Sequence, residues 1–364
     1  MHNSLLYEIA LTLVPGIGPV KTRALVSHCG NAEGVFREKP QTLMKIPEIG
    51  KTTAGLFGKK ELMARAETEL KFIENHDIQA IFFTSSNYPA RLHQCTDSPV
   101  MLFVKGRVDL NCKYIISIVG TRKATSYGKQ FCKELISGIS HLDPLVVSGL
   151  AYGIDICAHR NAISEKLQTV GCVAHGLEKI YPTLHTSVAA EMMQRGGLIT
   201  EFVSHTRMTP ELFPMRNRII AGLSDCTVVV ETDTKGGSVI TAHIANSYGR
   251  DVFAVPGRVN DPHSTGCNEL IRKNIAGILT SPEELIEAMN WGKANHPASR
   301  QLPLFTDLSD EETIVVKVLS DGKRTVDDLY QQSGFIFNKL SNILLELEFK
   351  GVVRTLPGKI YELA

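Results

Sequence analysis

Six apolar runs without internal alternation dominate the middle of the chain. They are IISIVG (115–120), LVVSG (145–149), TVGCVA (169–174), GLITE (197–201), CTVVVE (226–231) and DVFAVPG (251–257). A strand with one wet face alternates apolar and polar residues, whereas a strand covered on both faces does not. Amphipathic stretches separate most of these runs, so the pattern predicts an α/β, Rossmann-like fold with helices over a parallel sheet. Most of the predicted strands run into a glycine-bearing loop: Gly120, Gly149, Gly176, Gly236 and Gly257. In an open parallel sheet the loops at the carboxyl ends form the ligand crevice. The fold alone does not choose the ligand.

A chain of 364 residues, 43% hydrophobic, can bury a large core and has room for two or three domains. Its flanks differ from its middle. LVPGIGPVKTRALVSHCG and LMKIPEIGKTTAGLF each carry Pro-x-Ile-Gly followed by threonine, the pattern of a tandem helix-hairpin-helix (SAM-like) domain, placed at residues 1–62. In such a unit the turn glycines, here Gly16 and Gly18, present N–H groups to a phosphate, with Lys21, Arg23 and Lys51 following as secondary DNA contacts. Residues 1–60 hold eight Lys and Arg against four Glu. Glu48 stands where the second hairpin should have its first glycine, and packing or protein contact is the alternative role. The sheet domain is placed at 63–292 and a polar, Pro-bearing linker at 293–308. Residues 309–364 offer three helical stretches and a short alternating tail, a winged-helix pattern. That segment has seven basic against nine acidic side chains, and its third helix offers Lys339 and Asn342 but also Glu346 and Glu348. Protein docking fits it at least as well as base readout.

Several chemistries lack their residues. The net charge of +1 excludes a uniformly basic surface, so nucleic-acid contact must be a local patch. The eight cysteines are scattered, with no C-x-x-C pair, which argues against a zinc site or disulfide framework and for a reducing cytoplasm. The start of the chain lacks a basic n-region, and no apolar run is long enough to cross a bilayer. IVGTRKATSYGKQ has one glycine where a dinucleotide fingerprint has three, and it lacks a P-loop, so neither NAD nor ATP is supported. Asp155 and His159 share a helix face. Capping and a hydrogen-bonded core account for them more readily than hydrolysis or a metal. What the crevice does collect is cations: Arg122, Lys123, Arg207, Arg216 and Arg218. FPMRNRIIAGL (213–223) reads as a helix start with two arginines in its first turn, where the helix dipole is already positive. Either a nearby carboxylate or an external anion must compensate.

SIVGTRKATSYG, VVSGLAYGIDICAHRNAI, GLEKIYP, FPMRNRIIAGLSDCTVVVET, GGSVITAHIANSYGRDVFAVPG and GCNELI follow one another as in the DNA-processing protein A family, which this chain resembles over nearly its whole length. The resemblance implies a non-enzymatic, cytoplasmic homodimer without metal or cofactor. It would bind and protect single-stranded DNA and help load RecA recombinase in natural transformation. By motif, Arg122, Arg216 and Arg218 become phosphate contacts, joined by Lys123, Arg207 and Lys235, while Gly120, Gly149, Gly153, Gly236, Gly237 and Ser238 shape the loops. Tyr181 is a candidate to stack on bases; Phe213 reads as ordinary packing. The chain departs from the family's pattern at His175, at His185 and at Lys235 in KGGS. The runner-up is a LOG-class nucleotide phosphoribohydrolase or a nucleotide-binding protein. Its P-G-G-x-G-T-x-x-E motif is replaced here by TKGGSVITAHIA, with Val239 and Ile240 at the Gly-Thr positions and no carboxylate in the next turn. A sequence-specific regulator acting through the winged helix is a third reading, opposed by that segment's excess of acids.

Overall fold

The computed structural model describes residues 2–292, 308–320, 322–350, 352–356 and 360–363. They fall into two compact units, within Met1–Gly292 and within Lys293–Ala364. The expected linker lies, apart from Leu308, outside the described residues.

The six apolar runs form six central strands: β3 (Ile115–Val119), β4 (Leu145–Ser148), β5 (Thr169–Cys172), β6 (Gly197–Thr200), β7 (Cys226–Val229) and β8 (Asp251–Ala254). Every residue of β3 to β7 is buried, as runs without alternation require. Three further strands complete the sheet: β1 (Ile78–Phe82), β2 (Met101–Gly106) and β9 (Gly277–Ile278). The order across it is β1-β2-β6-β5-β4-β3-β7-β8-β9. From β6 to β9 all neighbours are parallel. The β2 strand runs antiparallel to both β6 and β1, so the sheet is mixed at one margin. From β3 the chain passes to β4, β5 and β6 on one side, then returns to place β7 and β8 on the other. The topological switch therefore lies between β3 and β7.

Two apolar layers sandwich the central strands. One gathers Ile115, Val119, Val147, Ile219, Ile220 and Ala242; the other gathers Ile116, Ile118, Phe131, Leu135, Ile154 and Val228. The helix-hairpin-helix residues Ile9, Leu25 and Phe57 share a third cluster with Ile73, Ile78 and Phe103, so this N-terminal segment packs on the β1–β2 margin. Its second turn is instructive. Glu48 adopts φ 64°, the left-handed conformation that Gly16 takes at φ 77° in the first turn. The turn geometry is kept although the glycine is gone, at the usual strain of a side chain in that region.

The second unit places helices Asp310–Ser320, Val326–Ser333 and Phe337–Phe349 around Val315, Leu319, Leu329, Leu340, Leu344 and Leu347. Strands β10 (Arg324–Thr325), β11 (Val353–Leu356) and β12 (Ile360–Leu363) form a sheet of order β10-β12-β11. This is a winged helix. Thr325 caps the second helix through a reciprocal capping box with Asp328.

Candidate nucleic-acid interface

A cleft of about 480 Å³ opens at the carboxyl ends of β3 and β7. It stands at the reversal of strand order, where the diverging loops of an open sheet leave a crevice. Its walls are the loop after β3 (Gly120, Thr121, Arg122, Lys123), the start of helix Gly237–Ser247, and Phe213, Arg216 and Asn217 of helix Leu212–Leu223.

The β3 loop is held from beneath. Glu231, buried at the end of β7, accepts from the Thr125 N–H at 2.9 Å and from its hydroxyl at 2.5 Å. Thr125 in turn caps helix Ser126–Ile139 by accepting from Gly128 N. The Thr121 N–H donates to the Glu231 carbonyl, and the Thr121 carbonyl accepts from Ile154 N. Gly153 makes this closeness possible: it has φ 79°, and a Cβ there would lie 2.1 Å from the Thr121 oxygen. Thus Arg122 and Lys123 project, exposed, from a braced loop.

Opposite them, Gly236 caps helix Gly237–Ser247 without a side chain, and a Cβ on Gly237 would meet nothing within 4 Å. The first turn of that helix lines the cleft, and a helix N-terminus without a side-chain cap favours an anion. Ser238 is buried and donates to Thr232 Oγ1 at 2.8 Å, so it stiffens the loop. Two acids also line the cleft: Asp233 on the same loop, and Asp155 deep in the wall.

The two arginines of FPMRNRIIAGL are placed differently from each other. The helix begins at Leu212, because Pro214 falls within the first turn, where no intrahelical N–H bond is lost. Arg216 and Arg218 therefore sit in the second turn, not the first. Arg216 is 5% exposed and donates to the carbonyls of Gly149 (2.6 Å) and Cys172. Beside it Asp155 accepts from Gly149 N and Ala151 N. Burial raises the Asp155 carboxyl, against the pull of Arg216, and burial lowers the Arg216 guanidinium, against the pull of Asp155. Arg216 lines the cleft wall with its charge largely spoken for. Arg218 pairs with Glu201 and donates to the Asp97 carbonyl. Burial pushes the Glu201 carboxyl up to about 7 against the pull of Arg218, and its second oxygen has no partner. Of the two compensations the sequence allowed, a carboxylate accompanies each arginine.

Phe213 does more than fill space. The Arg122 and Arg216 guanidinium carbons stand 5.6 and 6.0 Å from its ring centroid. The ring spaces two like charges and attracts both. Arg122 also lines an adjoining recess with Tyr152, Tyr181, Pro182 and His175. Tyr152 and Tyr181 are exposed, whereas His175 is buried, bonded through Nδ1 to the Gly176 carbonyl and lowered in pKa by burial.

The remaining candidates lie elsewhere. Lys235 and Arg207 are exposed but do not line either cavity. In the helix-hairpin-helix segment, Lys21 stands 3.9 Å from Glu48. Arg23 braces the segment by donating to the Ser98 carbonyl and hydroxyl and to Thr96 O, with its guanidinium 5.2 Å from the Phe83 centroid. Lys51 is exposed. Asp155 and His159 do not form a catalytic pair: His159 is fully buried on Thr169 Oγ1, and burial lowers it to about 3. Among the described residues no group of three or more His, Cys, Asp and Glu side chains is arranged to hold a metal ion. None of their helices is long and apolar enough to cross a membrane. Sequence reasoning missed Glu231, Glu201 and Asp97, because their roles depend on strands far apart in the chain coming together.

A sheet with an arginine-lined cleft at its switch point, preceded in the chain by a helix-hairpin-helix segment and followed by a winged helix, defines a class of DNA-handling protein. Residues 79–290 match the DNA recombination-mediator protein A family, residues 298–359 the DprA winged helix domain, and residues 8–56 the SAM-like helix-hairpin-helix tandem. The chain belongs to the DNA recombination-mediator protein A family, a family of DNA-processing proteins. It is 32% identical to Protein Smf of Escherichia coli over 297 residues, covering 80% of this chain and 79% of that one. The X-ray structure of DNA processing protein A from Streptococcus pneumoniae superposes with a TM-score of 0.66 at 27% identity, covering 78% of this chain and 97% of that chain. A Helicobacter pylori structure, described for its single-stranded DNA binding mode, gives 0.53 at 29% identity, over 58% of this chain and 95% of its own.

Proposed function

We propose that this chain binds single-stranded DNA in the cleft between β3 and β7. There it protects the strand and helps load a RecA-class recombinase during transformation and recombination, as a cytoplasmic homodimer. The observation that carries the reading is the pairing, across one cleft, of exposed Arg122 and Lys123 with the uncapped start of helix Gly237–Ser247. Cations and a helix N-terminus converge there on a space suited to phosphates. The Helicobacter relative's single-strand binding supports the same polymer here. The role is one of binding rather than catalysis. The one carboxylate deep in the cleft wall, Asp155, is occupied by Gly149 N, Ala151 N and Arg216.

The phosphate-contact role falls first on Arg122 and Lys123, with Gly120, Gly236 and Gly237 shaping the approach and Arg216 setting the potential of the wall. Tyr152 and Tyr181 are positioned to stack on bases, an interaction worth about 1–3 kcal/mol per base. Fluorescence anisotropy of labelled oligo-dT and a matched duplex, over several salt concentrations, tests the reading. Preferential single-strand binding with a negative log–log salt slope is the expected result. Failure to bind single strands at any salt overturns it. Nuclease protection and recombinase-filament assays on the same oligonucleotide test the protective and loading roles.

A further inference from the structure

Helices Ser126–Ile139 and Ile154–Ser164 both spring from the loops of the cleft and pack side by side. Each contributes a cysteine to the contact. Cys132 is fully buried in the apolar layer, and Cys157 lies partly exposed against that layer. The two thiols lie close enough to influence each other. The Asn161 amide donates to the Cys157 sulfur at 3.3 Å, and the Cys157 thiol donates to the Lys129 carbonyl, one turn before Cys132, at 3.8 Å.

We propose that Cys157 is a peroxide-reactive thiol and Cys132 its resolving partner. Four features converge on Cys157. It sits in the first turns of its helix, where the dipole favours an anion. It accepts a hydrogen bond from Asn161, and the Lys129 and Arg160 charges lie close by. It is open to solvent on one side, and a second thiol waits on the other. Together, led by the neighbouring Cys132 thiol, these lower the Cys157 thiol to about 7. Cys29, Cys95, Cys112, Cys172, Cys226 and Cys267 are all raised by burial, so they lack thiolate near neutral pH.

The chemistry closes on itself. The Cys157 thiolate attacks one oxygen of a hydroperoxide, the O–O bond breaks, and a sulfenic acid forms. The departing hydroxide or alkoxide takes a proton and leaves as water or alcohol. The Cys132 sulfur then attacks the Cys157 sulfur and the S–O bond breaks. The expelled hydroxide leaves as water with the proton from Cys132. Two thiols are oxidised to a disulfide and the peroxide is reduced; a dithiol reductant reverses the bond. Cys157 follows Asp155, the neighbour of Arg216, by two residues, so the disulfide pins the helix that carries one wall of the cleft.

Peptide mass mapping of the full chain tests this. In the wild type at pH 7, iodoacetamide should label Cys157 before the other cysteines, with a rate that rises through about pH 7. One equivalent of hydrogen peroxide should then yield a Cys132–Cys157 linked peptide. In Cys132→Ser, dimedone should trap a sulfenic acid at Cys157, whereas Cys157→Ser should give neither adduct nor disulfide. Labelling of Cys157 no faster than Cys29 or Cys112, or no linked peptide in the oxidised wild type, overturns the proposal. The wild-type arms decide the matter even where a variant fails to fold.

Discussion

The cleft between β3 and β7 and the outward face of helix Phe337–Phe349 are built on opposite electrostatic plans. In the sheet domain the buried arginines are matched inside the protein: Arg218, which lines neither cavity, by Glu201, and Arg216 in the cleft wall by carbonyls beside Asp155. Arg122 and Lys123 at the rim are left exposed. In the winged helix four cations are paired with acids. Lys339 pairs with Glu311, Lys350 with Glu312, and both Lys323 and Arg354 with Glu362. Helix Phe337–Phe349 instead exposes Leu345 and Phe349 on either side of Glu346 and Glu348. A count of charges sees seven basic groups in the second unit and cannot tell that four of them are already engaged. An unneutralised cation on a rigid loop attracts phosphate; a paired one holds the fold.

That contrast makes Arg218→Ala the most damaging single change to stability. It strands Glu201 inside the protein, and breaking one side of a buried ion pair typically costs about 3–5 kcal/mol. Chemical denaturation should show the loss, with part of it recovered in Arg218→Ala/Glu201→Gln. Single-strand affinity of the folded fraction should change little. Arg122→Ala should do the reverse. Its melting temperature should stay near wild type while single-strand binding weakens by about 1.5–3 kcal/mol, the worth of a hydrogen bond to a charged group. A stable Arg218→Ala protein that fails to bind DNA would break the comparison.

A smaller effect concerns pH. The Glu201 carboxyl is raised to about 7 in the folded protein, from an ordinary value of 4.5. Its protonated form therefore adds stability that is complete below pH 4.5 and is lost as pH rises through about 7. Urea midpoints should fall over that window in wild type and fall less in Glu201→Gln. The smallest effect is expected at Lys339→Ala, where the ion pair is half exposed: at most about 1 kcal/mol of stability and no change in DNA salt slope. A flattened slope there would show that the winged helix contacts phosphate after all.

The strands of the site were legible because full burial leaves an unambiguous mark: runs such as IISIVG and CTVVVE became β3 and β7. The glycine loops were legible for the same reason, since a strand end followed by glycine marks a close backbone approach. The margin of the sheet was not. β1 has a mixed burial pattern, and its partner β2 lies 18 residues further on, so neither local pattern nor a short turn announced an antiparallel pair. Nor could the sequence sort Arg216 and Arg218 from Arg122. All three are arginines beside glycine or proline motifs, and their difference arises from Glu201, just after β6, and Asp155, at the start of helix Ile154–Ser164. Glu48 misled in the other direction: a missing glycine suggested a broken turn, yet the left-handed geometry persists.

The most direct test of the cleft is the salt dependence of oligo-dT binding by wild type and by Arg122→Ala/Lys123→Ala. Each phosphate contact on a single strand contributes about 0.7 to the log–log slope. If the rim cations hold the strand, the double variant should bind more weakly, with a slope flattened by about 1.4. An unchanged slope and affinity in a folded double variant would contradict the account and move the DNA off this cleft.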